Sequence, residues 1–263
     1  MRLDVYLAQN NIVRSREAAK SLILSGAVNV NGVKAVKPSQ TVYDGDNVIV
    51  TGDLSKYVSR GGLKLEKALS CFDISVEGLS CLDIGASTGG FTDCLLQNGA
   101  RLVYALDVGH NQLDERLRSD SRVKCMEGVN IRDTATSDFS EEIDFICTDV
   151  SFISLKIIIP KIGELLSENG EAVLLIKPQF ECGRADLGKN GIVRSQKVQV
   201  RVIKEVVAEA AANGLFAKGL DYSPISGGDG NIEFLICLSK SRTELADISP
   251  EATVSQAHKS IGG

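Results

Sequence analysis

Residues 81–91, Cys-Leu-Asp-Ile-Gly-Ala-Ser-Thr-Gly-Gly-Phe, decide the fold of this 263-residue chain. Leu82 and Ile84 belong to a buried strand that breaks into a glycine-rich turn, and a helix begins at about Gly89. Gly85, Gly89 and Gly90 carry no Cβ, so a ligand can lie against the backbone there. The unpaired N–H groups of the new helix favour a carboxylate or a phosphate. Twenty-two residues beyond Gly85, the apolar run Leu102-Val103-Tyr104-Ala105-Leu106 ends on Asp107. An acid at the tip of a second strand is placed to accept hydrogen bonds from a ribose diol. Turn and acid together read as a nucleoside-binding crevice, the alternative being a plain tight turn beside a surface aspartate.

Ser87 stands where a dinucleotide fingerprint needs its second glycine. S-adenosylmethionine has one ribose, a carboxylate and no pyrophosphate, so it fits this turn better than a nicotinamide cofactor. The expected cofactor-binding positions are Asp83, Gly85, Ala86, Ser87, Gly89, Gly90, Phe91 and Asp107. Asn130, in Glu127-Gly128-Val129-Asn130-Ile131, is either an adenine neighbour or a loop cap.

Outward from this turn, strand-like runs recur at 80–84, 101–106, 122–126, 143–148, 171–176, 215–222 and 232–238. Helical patterns fall near 62–72, 89–98, 111–119, 154–168 and 195–213. That alternation predicts an α/β fold, a mostly parallel seven-stranded sheet covered on both faces. The first 50 residues form a separate small α+β pattern. Two short helices, Arg2–Gln9 and Arg14–Ser25, are followed by a strand running into an Asn31-Gly32 hairpin turn. Ser15 is placed to cap the second helix. A polar linker at 51–55 divides the chain into a front domain, 1–55, and a main domain, 56–242. The tail, 243–263, lacks periodicity and is expected to be disordered.

Bulk properties exclude several classes. The net charge of −5 is uneven, with +4 over residues 1–67 and −9 over the rest, so the basic front is suited to a polyanion. No apolar run approaches the roughly 18 residues of a membrane span, and the first residues lack the apolar core of a signal peptide. Of seven cysteines without a C-x-x-C pair, Cys81, Cys94, Cys147 and Cys237 sit in apolar surroundings and read as buried thiols of a reducing cytoplasm. Two histidines, His110 and His258, offer little for a metal site, and none is expected.

Reactive groups of an open parallel sheet collect at the carboxyl ends of its strands. There the sequence places Asp149 after Ile143–Cys147, Lys177 after the apolar run Ala172–Ile176, and Glu233 in the last strand; Lys64 lies on the helix upstream. A lysine abutting five apolar residues and a proline is unusual unless its ammonium reaches a carboxylate. The four are placed to converge on one polar pocket beside the glycine turn.

With these residues the sequence resembles a known family. Arg2-Leu3-Asp4, Ser15-Arg16-x-x-Ala, Gly26-x-Val28-x-Val30-Asn31-Gly32 and Gly45-Asp46 resemble the small RNA-binding domain of the S-four ribosomal type. The remainder resembles the RrmJ/FtsJ-like 2′-O-ribose methyltransferases. Val58-Ser59-Arg60-Gly61, Asp107-Val108-Gly109, Asp149-Val150-Ser151-Phe152-Ile153-Ser154, Lys177-Pro178-Gln179-Phe180-Glu181 and Gly188-Lys189-x-Gly191-Ile192-Val193-Arg194 are similar to the TlyA type. The resemblance covers about residues 1–240.

It implies a Rossmann-like class I methyltransferase fold and transfer of a methyl group from S-adenosylmethionine to a ribose 2′-oxygen of ribosomal RNA, at cytidine. The family's Lys-Asp-Lys-Glu tetrad maps onto Lys64, Asp149, Lys177 and Glu233. Arg2, Arg14, Ser15, Arg16 and Lys20 would meet RNA phosphates, and Lys189 and Arg194 would close over the RNA. The implied partners are ribosomal RNA or ribosomal subunits in the cytoplasm, with no membrane and no oligomeric state specified. A non-catalytic RNA-binding assembly factor stands as the alternative, and behind it a membrane-lytic haemolysin, a name some relatives carry.

Overall fold

A computed structural model describes residues 1–10, 12–13, 16–24, 26–50, 56–227, 230–241 and 248–261, without the side chains of residues 17, 18, 21 and 189. The chain divides into two compact units, Met1–Lys56 and Tyr57–Gly263. The linker expected at 51–55 and the cap Ser15 lie outside the described residues.

In the first unit, helices α1 (Leu3–Gln9) and α2 (Arg16–Leu24) cover a three-stranded antiparallel sheet of β1 (Val28–Val30), β2 (Val33–Lys34) and β3 (Val48–Val50), in the order β2-β1-β3. Leu3, Leu7, Ala19, Ile23, Val28 and Val30 form its core. Asn31 and Gly32 both have positive φ (54° and 78°), as a primed two-residue hairpin turn requires. Asn31 then fastens a second turn: its Nδ2 donates to Asp46 Oδ1 and its Oδ1 accepts from Asn47 N, both at 2.8 Å.

The second unit opens with α3 (Gly61–Cys71) and alternates as expected: β4 (Ser80–Ile84), α4 (Gly90–Gln97), β5 (Leu102–Asp107), α5 (Glu115–Arg118), β6 (Val123–Glu127), β7 (Ile143–Thr148), α6 (Leu155–Leu165) and β8 (Leu166–Ile176). The short α7 (Pro178–Glu181), then α8 (Gln196–Ala212), β9 (Phe216–Tyr222), β10 (Phe234–Ser239) and α9 (Pro250–Ser260) complete it. Seven strands lie in the order β6-β5-β4-β7-β8-β10-β9, parallel except for β10, which runs against both neighbours.

Period-two side chains give the sheet two cores. Cys81, Val103, Phe145, Cys147, Val173 and Leu235 pack with α3 and α4, whereas Leu82, Ile84, Ile146, Leu174, Ile176 and Ile236 pack with α6, α8 and α9. Strand order reverses at β4: the chain steps outward to β5 and β6, then returns to β7 on the other side. The carboxyl ends of β4 and β7 therefore flank the crevice where such sheets bind ligands.

Two expectations are corrected. The helix read to residue 168 stops at Leu165, because Leu166 is already extended and pairs with Ile143; the polar residues 167–170 are then passed over before Glu171 pairs with Phe145. The tail, expected to be disordered, contains α9, capped by Ser249 Oγ accepting from Ala252 N. Val254 and Ala257 on its inner face are fully buried in the main core. Two apolar positions three residues apart are too faint a stripe to stand out in an otherwise polar tail. Among the described residues, no helix is long and apolar enough to cross a membrane.

Candidate active site

The turn after β4 is shaped by two glycines. Gly89 caps α4 in the left-handed region (φ +93°), a conformation side chains rarely take, and a Cβ there would strike Leu117. At Gly90 the reason is close approach, since a Cβ would sit 2.2 Å from Ser59 Oγ. The segment before α3 is held against α4 by Val58 N donating to Asp93 Oδ2 (2.7 Å). Beneath the turn, Asp83 is fully buried and accepts from Thr92 Oγ1 at 2.7 Å. Burial, only partly offset by Thr92, pushes its carboxyl up to about 7.

A cavity of about 360 Å³ opens here, within the usual range for small-molecule sites. Gly85, Ala86, Ser87, Gly90 and Phe91 line it, as do Lys64, Asp149, Lys177 and Glu233. All four residues of the expected tetrad therefore meet, from α3, the end of β7, the end of β8 and the segment before β10. Lys64 Nζ lies 3.1 Å from Asp149 Oδ2 and 2.8 Å from Glu233 Oε2, and Lys177 Nζ lies 2.6 Å from Asp149 Oδ1. Both lysines are only 7% exposed.

Two cations and two carboxylates sum to zero, which allows the cluster to be buried. Burial pulls the Lys64 ammonium down, but Asp149 and Glu233 outweigh it and leave its pKa above the ordinary lysine value. Burial pushes Asp149 up, and the two lysines outweigh that and hold it low. Glu233 faces mainly one cation, so burial prevails and its pKa is raised.

The other expected positions are placed differently. Asp83 and Gly89 support the turn from behind and are not on the cavity wall. Asp107, at the tip of β5, accepts from Ser87 N (2.8 Å) and Gly109 N (2.7 Å). Its carboxylate keeps acceptor capacity for a diol, because two oxygens offer about four lone-pair sites. Asn130 is a loop cap, its Oδ1 accepting from Arg132 N (3.1 Å). In the first unit, Arg2 pairs with the buried Asp4 through two 2.9 Å hydrogen bonds and Arg16 lies 3.5 Å from the same carboxylate. The hydrogen bonds from Arg2 hold Asp4 down at about 2. Lys20 is half-buried on α2, and Arg194 is exposed beyond Val193. Arg14, Ser15 and the Lys189 side chain lie outside the described residues.

Sequence reasoning missed Ser59, Arg60, Gly61, Ser151, Ile225, Ser226 and Gly227 on the cavity wall. The Val58–Gly61 and Asp149–Ser154 motifs contained the first four, whereas 225–227 look like any polar turn. It also missed what fixes the surrounding loops. Glu181 accepts from Ser154 Oγ (2.6 Å) and Leu155 N (2.7 Å), tying α7 to the start of α6. Both backbone groups of Val193 are held by side chains: its N–H by Asn231 Oδ1 (2.9 Å), its carbonyl by Gln199 Nε2 (2.8 Å). His258 of α9 completes that chain on Gln199 Oε1 at 2.8 Å. At the lip, Phe152 is 91% exposed with a positive φ of 64°, its ring 5.0 Å from that of Phe180.

Comparison with known proteins matches residues 57–240 to the FtsJ-like methyltransferase family and residues 1–48 to the S4 domain. The chain belongs to the FtsJ-like methyltransferases. A Bacillus subtilis relative, YqxC, whose name assigns it provisionally to the rRNA methyltransferases, is 46% identical over 99% of this chain and 95% of its own. The Mycobacterium tuberculosis protein named 16S/23S rRNA (cytidine-2′-O)-methyltransferase TlyA is 38% identical over 99% of this chain and 97% of its own. A solved Streptococcus thermophilus structure carrying a hemolysin name superposes with a TM-score of 0.81 at 48% identity, covering 100% of this chain and 97% of that one. The chain thus joins an S4 domain to an FtsJ-like methyltransferase domain, with TlyA among its relatives.

Proposed function

We propose that this protein transfers a methyl group from S-adenosylmethionine to a ribose 2′-hydroxyl of ribosomal RNA, at a cytidine. The observation that carries the reading is Asp149 holding both Lys64 and Lys177 on the wall of the cavity that the glycine turn also lines.

The residues present fit the cofactor. Gly85, Ala86 and Gly90 line the cavity with almost no side chain, the start of α4 offers backbone N–H groups for a carboxylate, and Asp107 has acceptor capacity for a ribose. Gly85, Ala86, Ser87, Gly90 and Phe91 would hold the methionine part; Asp83 and Gly89 would support them, and Asn130, while its Oδ1 caps its own loop, would border the adenine side. When bound, the cofactor supplies a methyl group whose bond to sulfur breaks, the electron pair staying on sulfur, as the ribose oxygen bonds to carbon. Lys177 stands nearest that oxygen and takes the hydroxyl proton or stabilises the developing alkoxide. Asp149 fixes the direction of Lys177. Lys64, kept charged by its two carboxylates, and Glu233 position the ribose. Much of the acceleration comes from alignment, because the electrophile arrives already activated.

The front unit, 1–55, would grip RNA phosphates through Arg2, Arg14, Ser15, Arg16 and Lys20, with Lys189 and Arg194 added from the main unit. A cytoplasmic protein acting on free ribosomal RNA or on subunits follows from this reading. The test is transfer of a labelled methyl group to ribosomal RNA or subunits lacking the modification, with the modified ribose then mapped. Cofactor binding without transfer to any ribosomal substrate would leave an RNA-binding assembly factor instead.

A further inference from the structure

We infer that Ser151 is a positioning residue for Lys177, setting the one direction of the lysine nitrogen that is left for substrate. This rests on the methyl-transfer reading above and deepens it.

A lysine nitrogen has four tetrahedral positions, one of them bonded to Cε. Of the remaining three, one is directed at Asp149 Oδ1 at 2.6 Å and a second donates to Ser151 Oγ at 2.9 Å. The ring of Phe180, on α7, lies 5.9 Å from the nitrogen by its centroid, at the outer limit of a cation–π contact, and is no lone-pair acceptor for a third N–H. No other acceptor for it occurs among the described residues, and Lys177 lines the cavity, so the third position belongs to whatever enters. In the ammonium this position is an N–H that can donate to a developing alkoxide. In the neutral amine, with both remaining hydrogens committed to Asp149 and Ser151, it is the lone pair that takes the 2′-hydroxyl proton. Asp149 alone already sets the rotation about Cε–Nζ; Ser151 stiffens it and, in the neutral amine, decides which of the two remaining positions carries the hydrogen and which the lone pair.

Ser151 suits this task better than a second carboxylate would. A hydroxyl is neutral, so it orients the nitrogen without adding charge to a cluster whose two lysines and two carboxylates already balance. It sits two residues after Asp149, so one short loop carries both acceptors. That loop is braced where Glu181 caps the start of α6, and Glu181 follows Lys177 by four residues. The brace therefore joins the strand end that supplies the nitrogen to the loop that supplies its two acceptors.

The test compares the full-length wild type with Ser151→Ala, Ser151→Thr and Lys177→Ala, using labelled methyl transfer to unmodified ribosomal subunits. Ser151→Ala should lose about 10- to 100-fold in kcat, with KM for cofactor and subunits within about twofold. Its rate-against-pH midpoint should move, because the groups facing Lys177 (Asp149, with Lys64 and Glu233 behind it) are unchanged while one acceptor has gone. Ser151→Thr should recover most of the loss. Ser151 is exposed, so the thermal midpoint should stay near that of the wild type. Wild-type kcat and an unmoved pH midpoint in Ser151→Ala, with Lys177→Ala inactive, would overturn the role of Ser151 alone. Activity in Lys177→Ala equal to wild type would instead overturn the reading on which it rests. A loss in Ser151→Ala that Thr does not restore would also count against it.

Discussion

Asp4 and Asp149 are each shared by two cations, Asp4 by Arg2 and Arg16 and Asp149 by Lys64 and Lys177. The resemblance ends at the cations. Arg2 and Arg16 are about half exposed, and a guanidinium does not give up its proton in a protein. Their cluster carries a net positive charge at the surface, which suits a phosphate backbone. Lys64 and Lys177 are nearly buried, Glu233 completes the charge balance, and a lysine nitrogen can both hold and release a proton. On the function proposed, burial and the choice of cation divide one motif into a structural clamp with charge for RNA and a proton-handling centre.

The sharpest way to break that distinction is to put the clamp's cation into the centre. Lys177→Arg and Lys177→Ala should each lower methyl transfer about 10³-fold or more, with cofactor affinity by titration calorimetry within about twofold. Substantial transfer by the arginine variant would mean that charge alone suffices. Next in size, Asp4→Asn removes the shared carboxylate of the clamp. It should cost about tenfold in RNA affinity at unchanged cofactor affinity, because Arg2 and Arg16 lose their common anchor. The same carboxyl, held near 2, supports the fold above the ordinary carboxylate range and ceases to do so as pH falls towards 2. Acid titration of the wild type followed by NMR should show that loss in the front unit, and the Asn variant should lack it.

A milder change is Arg16→Ala, which removes one surface charge and keeps the Arg2–Asp4 pair. RNA affinity should fall a few-fold, and the slope of log affinity against log salt should drop by about one, with kcat at saturating RNA unchanged. The smallest effect on catalysis is expected from Asp83→Asn, which keeps an acceptor for Thr92. Asp83 is raised to about 7, so the native protein holds a proton that the unfolded chain releases between about pH 4 and 7. Wild-type stability should therefore decline through that window, and denaturant titrations of the variant should show a flatter profile. An unchanged slope would mean that Asp83 is ionised where it lies.

Strands were legible along nearly the whole chain because parallel strands buried on both faces read as apolar runs, as in Leu102–Leu106 and Ala172–Ile176. The tetrad was legible because polar residues ending such runs lie at one edge of the sheet. Less legible were features whose meaning depends on a distant partner. Ser151 is a common loop residue until Lys177 arrives 2.9 Å away. Gln199 and Asn231 look like ordinary polar positions, yet both are buried and hold the carbonyl and the N–H of one residue, Val193. Helix α9 was misread because its anchoring rests on Val254, Ala257 and scattered polar contacts of Glu251, His258 and Ser260 rather than on a broad apolar face.

By itself the sequence determined the alternation of strands and helices, the glycine turn after the first main strand and the identities of the four charged residues at the strand ends. These follow from local rules of periodicity, backbone freedom and the cost of a charge beside apolar neighbours. Only the tertiary structure decided which charges face one another. It set Asp149 between two lysines, left Glu233 with mainly one, and turned Asp107 and Asn130 to hold their own loops. Pairing energies depend on distance and burial across segments far apart in the chain, and neither quantity exists until the sheet brings those segments together.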